Sequence, residues 1–310
     1  MAYRQFRIAV GLMIALGLAF YPALWLERRR RAVVFWVFAA AVLVLPLIIL
    51  PKARLLRLLA AVMAVMTGLR LYDRHRSAED GFRPAWWVYG VSIGSPFAIV
   101  LRRVLKERTP PKRSDALAAA LGLTTGAAAI GLMIEIFRID WVAHSFVAEH
   151  CCKAAGLFLV VQFLLNGLAA ASRLLGIPAT NFAGPFFLAR TPAEFWRFYN
   201  RPVGQFLSDY VFMPLGGARH AVLATLATFA FSGVMHDYLF DVPARRVLGT
   251  QMAFFLIQGL AVMATLRLRP RGRAAPLAIL LTLAFNLLAA RLFLASMNAV
   301  VPFYVTRFSR

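Results

Sequence analysis

Long, uninterrupted apolar blocks dominate this 310-residue chain and limit what it can fold into. Hydrophobic residues make up 61% of the sequence and charged residues only 15%, whereas ordinary soluble domains carry about a quarter charged residues. The blocks approach the roughly 20 apolar residues that a helix needs to cross a bilayer. They are continuous rather than alternating, which argues against the strands of a membrane β-barrel. The chain is therefore predicted to be an all-α, polytopic integral membrane protein.

The sequence predicts eight membrane spans and leaves a ninth block open. The ninth block, 85–101, contains Gly90, Gly94 and Pro96, so it either spans, re-enters the membrane or lies at its interface. The eight predicted spans are 6–26, 32–50, 56–70, 116–137, 154–171, 220–240, 247–266 and 275–304. About 8–9 transmembrane helices plus interfacial helices are thus expected to form a single membrane-embedded domain over 1–310.

The basic residues indicate membrane topology rather than nucleic-acid binding. The net charge is +22, but the basic residues bracket the spans and form no separate domain. They therefore suggest cytoplasmic loops and contacts with anionic lipids. If 27–31 is cytoplasmic and 85–101 does not span, 23 of the 35 Lys and Arg residues lie on the cytoplasmic side and 11 on the other. Arg outnumbers Lys by 31 to 4, which favours a GC-rich bacterial genome and hence a bacterial plasma membrane.

The longest connection with polar flanks, 172–219, is a candidate functional region because long loops in compact proteins are usually functional. Within it, "TPAEFWRFYN" begins at Thr191, a candidate helix N-cap. Pro192 suits the first helical position and Glu194 lies three residues after the cap. Aromatic and arginine residues then mix, a composition typical of a helix in the membrane interface.

A histidine lies deep inside the predicted span 220–240. Ser232 and Gly233 precede His236 by four and three residues, so all three share one helix face. Gly233 leaves room for a neighbouring helix or for a substrate chain. An ionisable group in a span is either functional or a neutral hydrogen-bonding partner between helices. Asp237 points about 100° away from His236 on a helix and is expected at the polar end of the span.

Three segments of this region together resemble the membrane-bound O-acyltransferase family, most closely the branch that includes plant wax synthases (long-chain alcohol O-fatty-acyltransferases). The resemblance covers about 191–240. The matching residues are Glu194, Phe195, Trp196 and Asn200, then Tyr210 and Pro214, then Ser232, Gly233 and His236. The chain departs from the family pattern at Tyr199, where Trp is usual, and at Asp237, where Glu is usual.

The resemblance implies that His236 is the catalytic histidine and Asn200 its partner. An acyl group would pass from acyl-CoA to a hydroxyl of a lipid-like acceptor such as a long-chain alcohol. His236 would act as general base without a covalent acyl-enzyme. Asn200 would either donate a hydrogen bond to the oxyanion or orient the substrate. Acyl-CoA is the expected co-substrate, and no further cofactor is implied.

The residues predicted to bind substrate are Trp196, Tyr199, Arg197, Arg201, Ser232 and Gly233. The two arginines can meet the phosphates of coenzyme A, or they can bind lipid head groups. The sequence has no HExxH motif and no His/Cys ligand spacing, so no metal is expected. Two alternatives stay open. One is acetyl transfer to a terpenoid, sterol or glycan, and the other is a small transporter whose polar groups line a path.

Two further pairs of polar residues lie within predicted spans. Gln162 and Asn166 are four residues apart, and Gln251 and Gln258 are seven apart. Each pair shares a helix face. These amides are expected either to line a reaction chamber or to form hydrogen bonds between helices.

Overall fold

The computed structural model describes residues 1–107, 111–141 and 145–305. Every regular element in these ranges is helical, which confirms the predicted all-α membrane architecture. Seven of the described helical segments are long and apolar enough to cross a bilayer. They are Ala2–Trp25, Arg28–Ile48, Arg54–Ser77, Arg113–Arg138, Phe146–Leu174, Gly217–Ala244 and Ala274–Val300.

The chain divides into two compact units. The first comprises Met1–Thr109, Ile177–Thr180 and Met235–Leu248, and the second comprises Pro110–Gly176, Asn181–Val234 and Gly249–Arg310. The prediction of one membrane-embedded domain over 1–310 stays a prediction.

Among the described residues, the first unit contains five α-helices and the last part of a sixth. The five are α1 (Ala2–Ala19), α2 (Arg28–Val44), α3 (Arg54–Ser77), α4 (Trp86–Gly94) and α5 (Leu101–Lys106). Its core joins apolar side chains of α1 to α4, including Met13, Phe35 and Tyr89. A membrane helix packs closely where small side chains face a neighbour. In α1, Gly17 allows such an approach, because a Cβ there would lie 2.7 Å from Ile93 Cγ2.

The second unit contains the remaining helices. These are α6 (Arg113–Arg138), α7 (Phe146–Leu174), α8 (Pro192–Phe198), α9 (Arg201–Leu207), α11 (Thr250–Thr265) and α12 (Ala274–Val300). The helix α10 (Ala221–Ala244) contributes its first 14 residues to this unit. Glycines bring α6 and α7 together, since a Cβ on Gly122 would lie 2.6 Å from the Cα of Gly167.

The prediction for the third span was too short. The apolar pattern ends near residue 70, but α3 continues to Ser77. The reason is that its charged side chains find buried partners inside the first unit. The Arg74 guanidinium donates hydrogen bonds to Ser92 Oγ at 2.9 Å and to the Ala98 carbonyl at 3.3 Å. A buried charge is tolerated when it is hydrogen-bonded, so the helix extends past its apolar part.

Two predicted blocks contain helices too short to span a bilayer by themselves. The block 85–101 holds α4, whose nine residues end at Gly94, where the following Pro96 disfavours further helix. The predicted span 247–266 corresponds to α11, which has 16 residues. At 1.5 Å per residue this helix is about 24 Å long, against a hydrocarbon thickness of about 30 Å.

Candidate active site

The start of α8 follows the predicted capping pattern. The Oγ1 of Thr191 accepts a hydrogen bond from the backbone N–H of Glu194 at 3.1 Å, and Pro192 occupies the first turn. The Glu194 carboxylate accepts a hydrogen bond from the backbone N–H of Arg190 at 2.8 Å and others from the Arg190 guanidinium. These bonds lower the pKa of Glu194, and they raise the pKa of Arg190. The capped turn therefore fixes where the "EFWRFYN" stretch begins.

The helix that the sequence predicts to begin at Thr191 ends just before Asn200. The chain forms α8, then Asn200, then α9, followed by a π-helical turn at Ser208–Phe212. Asn200 has φ 45° and ψ 54°, in the left-handed region. Among residues with a side chain, asparagine is one of the few that enter this region readily. The Asn200 side chain makes no capping hydrogen bond to α9, so capping does not engage its amide group.

Trp196 makes both aromatic contacts and a side-chain hydrogen bond within the second unit. Its ring packs edge-on against Phe229 of α10, with 5.4 Å between centroids, and at a tilt against Phe255 of α11, with 5.7 Å between centroids. Its indole Nε1 donates a hydrogen bond to Oε1 of Gln258 at 2.9 Å. The side chain of Gln258 donates in turn to Oδ1 of Asn286 at 3.2 Å. Gln258 thus forms the hydrogen bonds between helices that were one of its two expected roles.

Tyr199 lies among aromatic rings of the same unit. It stacks on Phe195 with centroids 5.5 Å apart, and it meets Phe158 and Phe186 edge-on. Desolvation by these neighbours raises the pKa of Tyr199 to about 12. The phenol therefore stays protonated at neutral pH. Its predicted role in binding substrate stays a prediction.

Arg197 and Arg201 are both exposed. Arg197 keeps 64% of its side chain accessible and lies 3.7 Å from the Glu194 carboxylate. Arg201 is the first residue of α9 and directly follows Asn200. Both guanidinium groups are accessible to an anionic ligand beside this segment.

Gly233 and Ser232 are buried on α10. A Cβ on Gly233 would lie 2.9 Å from Met252 Sδ and 3.0 Å from Met252 Cα. The space beside this glycine is therefore filled by α11, which was one of its two expected roles. Contact of Gly233 and Ser232 with substrate stays a prediction.

His236 and Asp237 are half-buried residues of α10. Both belong to the first unit, whereas Asn200 and all the predicted substrate-binding residues belong to the second. The partnership of Asn200 and His236 that the resemblance implies stays a prediction.

A family model identifies the chain. The model of the membrane-bound O-acyltransferase family matches residues 124–290, more than half of the 310 residues. The chain belongs to this family. The match begins within α6 and ends within α12, so Asn200 and His236 both fall inside it.

The chain is similar to the yeast Saccharomyces cerevisiae protein "Membrane-bound O-acyltransferase GUP1", with 40% identity over 74 residues. That stretch is 24% of this chain and 12% of the yeast protein. The chain thus matches about an eighth of that relative's length. The wax synthase-like branch stays a prediction.

For the other polar residues of the spans, the sequence showed only their spacing along a helix. Asn166, four residues after Gln162 on α7, hydrogen-bonds the backbone of Ala183. Gln251, seven residues before Gln258 on α11, donates to the Phe293 carbonyl at 3.0 Å. A repeat of four or seven shows a shared helix face but does not name the partner.

Proposed function

We propose that this protein is an acyl-CoA-dependent O-acyltransferase that esterifies a hydroxyl of a hydrophobic acceptor, in the manner of a wax ester synthase. The observation that carries the proposal is His236, an imidazole within a membrane-spanning helix and inside the family-matching region. An ionisable group at such a place is costly and typically functional. The predicted setting is a bacterial plasma membrane.

In the proposed reaction His236 is the general base. Apolar surroundings disfavour the charged form of an imidazole, so a neutral nitrogen accepts the hydroxyl proton as the oxygen attacks the thioester carbonyl. The new C–O bond produces a tetrahedral oxyanion. Collapse of that intermediate breaks the C–S bond, and the coenzyme A thiolate takes the proton from the imidazolium. Ester and free coenzyme A leave, and the enzyme returns to its starting state.

Asn200 is the proposed hydrogen-bond donor to the oxyanion. An amide N–H₂ held in place before the reaction stabilises charge that develops only in the transition state. The left-handed backbone at Asn200 supports this role, because residues other than glycine are uncommon in this region and those that adopt it cluster at active sites. In our proposal Asn200 is therefore a catalytic residue rather than a packing residue.

Arg197 and Arg201 are the proposed contacts for the coenzyme A phosphates. Arginine binds phosphate through two parallel N–H donors, and both side chains are exposed next to Asn200. If 27–31 is cytoplasmic and 85–101 does not span, the loop 172–219 is cytoplasmic too, which is the side from which acyl-CoA would come. The apolar acceptor would enter from the bilayer.

The decisive experiment measures ester formation from labelled palmitoyl-CoA and hexadecanol by purified protein in detergent or nanodiscs. We expect the His236→Ala variant to lose transfer while inserting and purifying normally. The matched control is His220→Ala, an exposed histidine just before α10, which should retain wild-type transfer. Unchanged transfer by His236→Ala would remove this residue from the mechanism.

The acceptor is tested separately by comparing lipids from cells with and without the gene. Wax esters should disappear from the strain that lacks it. Loss of an acetylated terpenoid, sterol or glycan instead would keep the chemistry but replace the acceptor.

A further inference from the structure

Residues on both sides of Asn200 pair with a second stretch of backbone. The N–H of Gly184 donates to the Phe198 carbonyl at 2.8 Å, and the N–H of Arg201 donates to the Phe182 carbonyl at 2.8 Å. The two bonds lie two residues before Asn200 and one residue after it. The left-handed turn at Asn200 is therefore fixed at both ends by residues 182–184.

The middle residue of that stretch is held by one side chain. Asn166 of α7 donates from Nδ2 to the Ala183 carbonyl at 2.9 Å, and its Oδ1 accepts from the Ala183 N–H at 3.0 Å. A buried backbone needs a partner for both its donor and its acceptor. Ala183 is 4% exposed, and the amide of Asn166 satisfies both of its groups at once, as a neighbouring strand would.

The 182–184 backbone is also packed closely against the ring of Phe198. A Cβ on Gly184 would lie 3.0 Å from Cδ1 of Phe198. The chain from Asn166 through 182–184 to the Asn200 turn is thus continuous, and all of it lies in the second unit.

We infer that Asn166 is a positioning residue that sets the orientation of Asn200 for acyl transfer. The inference rests on the proposed function, in which Asn200 is catalytic. Asn166 acts through the 182–184 backbone rather than by touching the reacting atoms. A small misplacement of a catalytic group can lower the rate by up to about 10²-fold, so loss of this support should reduce kcat while leaving KM for acyl-CoA unchanged.

The test is a double-mutant cycle on kcat with the full-length protein. Removing one oxyanion donor typically costs 10²–10³-fold, so Asn200→Ala should lower kcat by about 100-fold. We expect Asn166→Leu alone to lower kcat by about tenfold and to add less than about twofold in the Asn200→Ala background, since groups that act as a unit are not additive. Asn166→Asp keeps the acceptor for the Ala183 N–H and should fall between Asn166→Leu and the wild type.

The matched control is Asn298→Leu. Asn298 also secures backbone in the second unit, because its Oδ1 accepts from the N–H groups of Phe303 and Tyr304 at 2.8 and 2.9 Å. This variant should lower the thermal midpoint to a similar extent but leave kcat within about twofold of wild type. If Asn166→Leu does not accumulate as folded protein, Asn166→Asp carries the test.

Two results would overturn the inference in distinguishable ways. If Asn166→Leu lowers kcat by the same factor with and without Asn200→Ala, or no more than Asn298→Leu does, Asn166 acts independently of Asn200 and only this inference fails. If Asn200→Ala turns over at the wild-type rate, the catalytic role of Asn200 and this inference fail together.

Discussion

The indole Nε1 of Trp196 donates a hydrogen bond to Oε1 of Gln258 at a distance of 2.9 Å. The two residues are 62 positions apart, and Gln258 is fully buried. The same amide also donates to Asn286, which is 4% exposed and donates to the Thr282 carbonyl at 2.8 Å. The "EFWRFYN" helix is in this way hydrogen-bonded to α11 and, through it, to α12.

Replacing Gln258 should therefore destabilise the protein. The Gln258→Leu variant leaves the Trp196 N–H and the Asn286 Oδ1 without this partner in a buried place, at a cost of about 1–3 kcal/mol for an unsatisfied group. Thermal unfolding in detergent measures the loss. Trp196→Phe removes the matching N–H, so the double variant should lose less stability than the two single losses combined. Additive losses would show that the bond does not couple the two residues.

The left-handed backbone at Asn200 predicts that two substitutions there have different effects on stability but similar effects on acyl transfer. Glycine enters the left-handed region freely, whereas alanine there costs about 1–2 kcal/mol. Asn200→Gly should therefore unfold at least as late as the wild type, and Asn200→Ala should unfold earlier. Both variants lack the amide and should lose transfer to a similar degree. Wild-type transfer by Asn200→Gly would mean that the backbone conformation, rather than the side chain, matters at this position.

Gly233 should not tolerate a larger side chain. A Cβ there would meet the Sδ and the Cα of Met252 at 2.9 and 3.0 Å, and overpacking of this kind typically costs about 1–3 kcal/mol. Gly131 on α6 has open space around its Cβ direction, with nothing within 4 Å. We therefore expect Gly233→Ala to lower the thermal midpoint. Gly131→Ala is the matched control and should not lower it. Equal thermal midpoints for the two variants would contradict the close contact between α10 and α11.

The ion pair of Glu194 with Arg190 should make the stability depend on pH on the acidic side. The Arg190 hydrogen bonds lower the pKa of Glu194 in the folded protein. The ionised Glu194 therefore contributes fully to the folding stability above the pKa of an unfolded glutamic acid, about 4.3. This contribution is lost as the pH falls through the lower pKa that Glu194 has in the folded protein. Glu194→Gln should unfold at a lower temperature than wild type at pH 7. The difference should shrink as the pH falls below about 4, and a difference independent of pH would exclude this origin.

Local features of the sequence determined much of the architecture. Continuous apolar length predicted the membrane-spanning helices, because a span must satisfy its backbone internally over the full hydrocarbon thickness. The start of α8 at Thr191 and Pro192 was also predictable from sequence, because helix capping involves residues only three positions apart. The sequence placed His236 within a span, whereas the roles of His236 and Asn200 are implied by the resemblance of short motifs to the membrane-bound O-acyltransferase family and stay predictions.

Only the tertiary structure decided how these pieces are held. The extension of α3 to Ser77 depends on partners of Arg74 that lie 18 and 24 residues away along the chain. Asn166 could be placed on a helix face from sequence, but its partner Ala183 lies in an irregular segment whose backbone groups must be satisfied individually. The Trp196–Gln258 bond likewise joins two helices 62 residues apart. Local propensity fixes which residues form helices, whereas burial in three dimensions fixes which donor meets which acceptor.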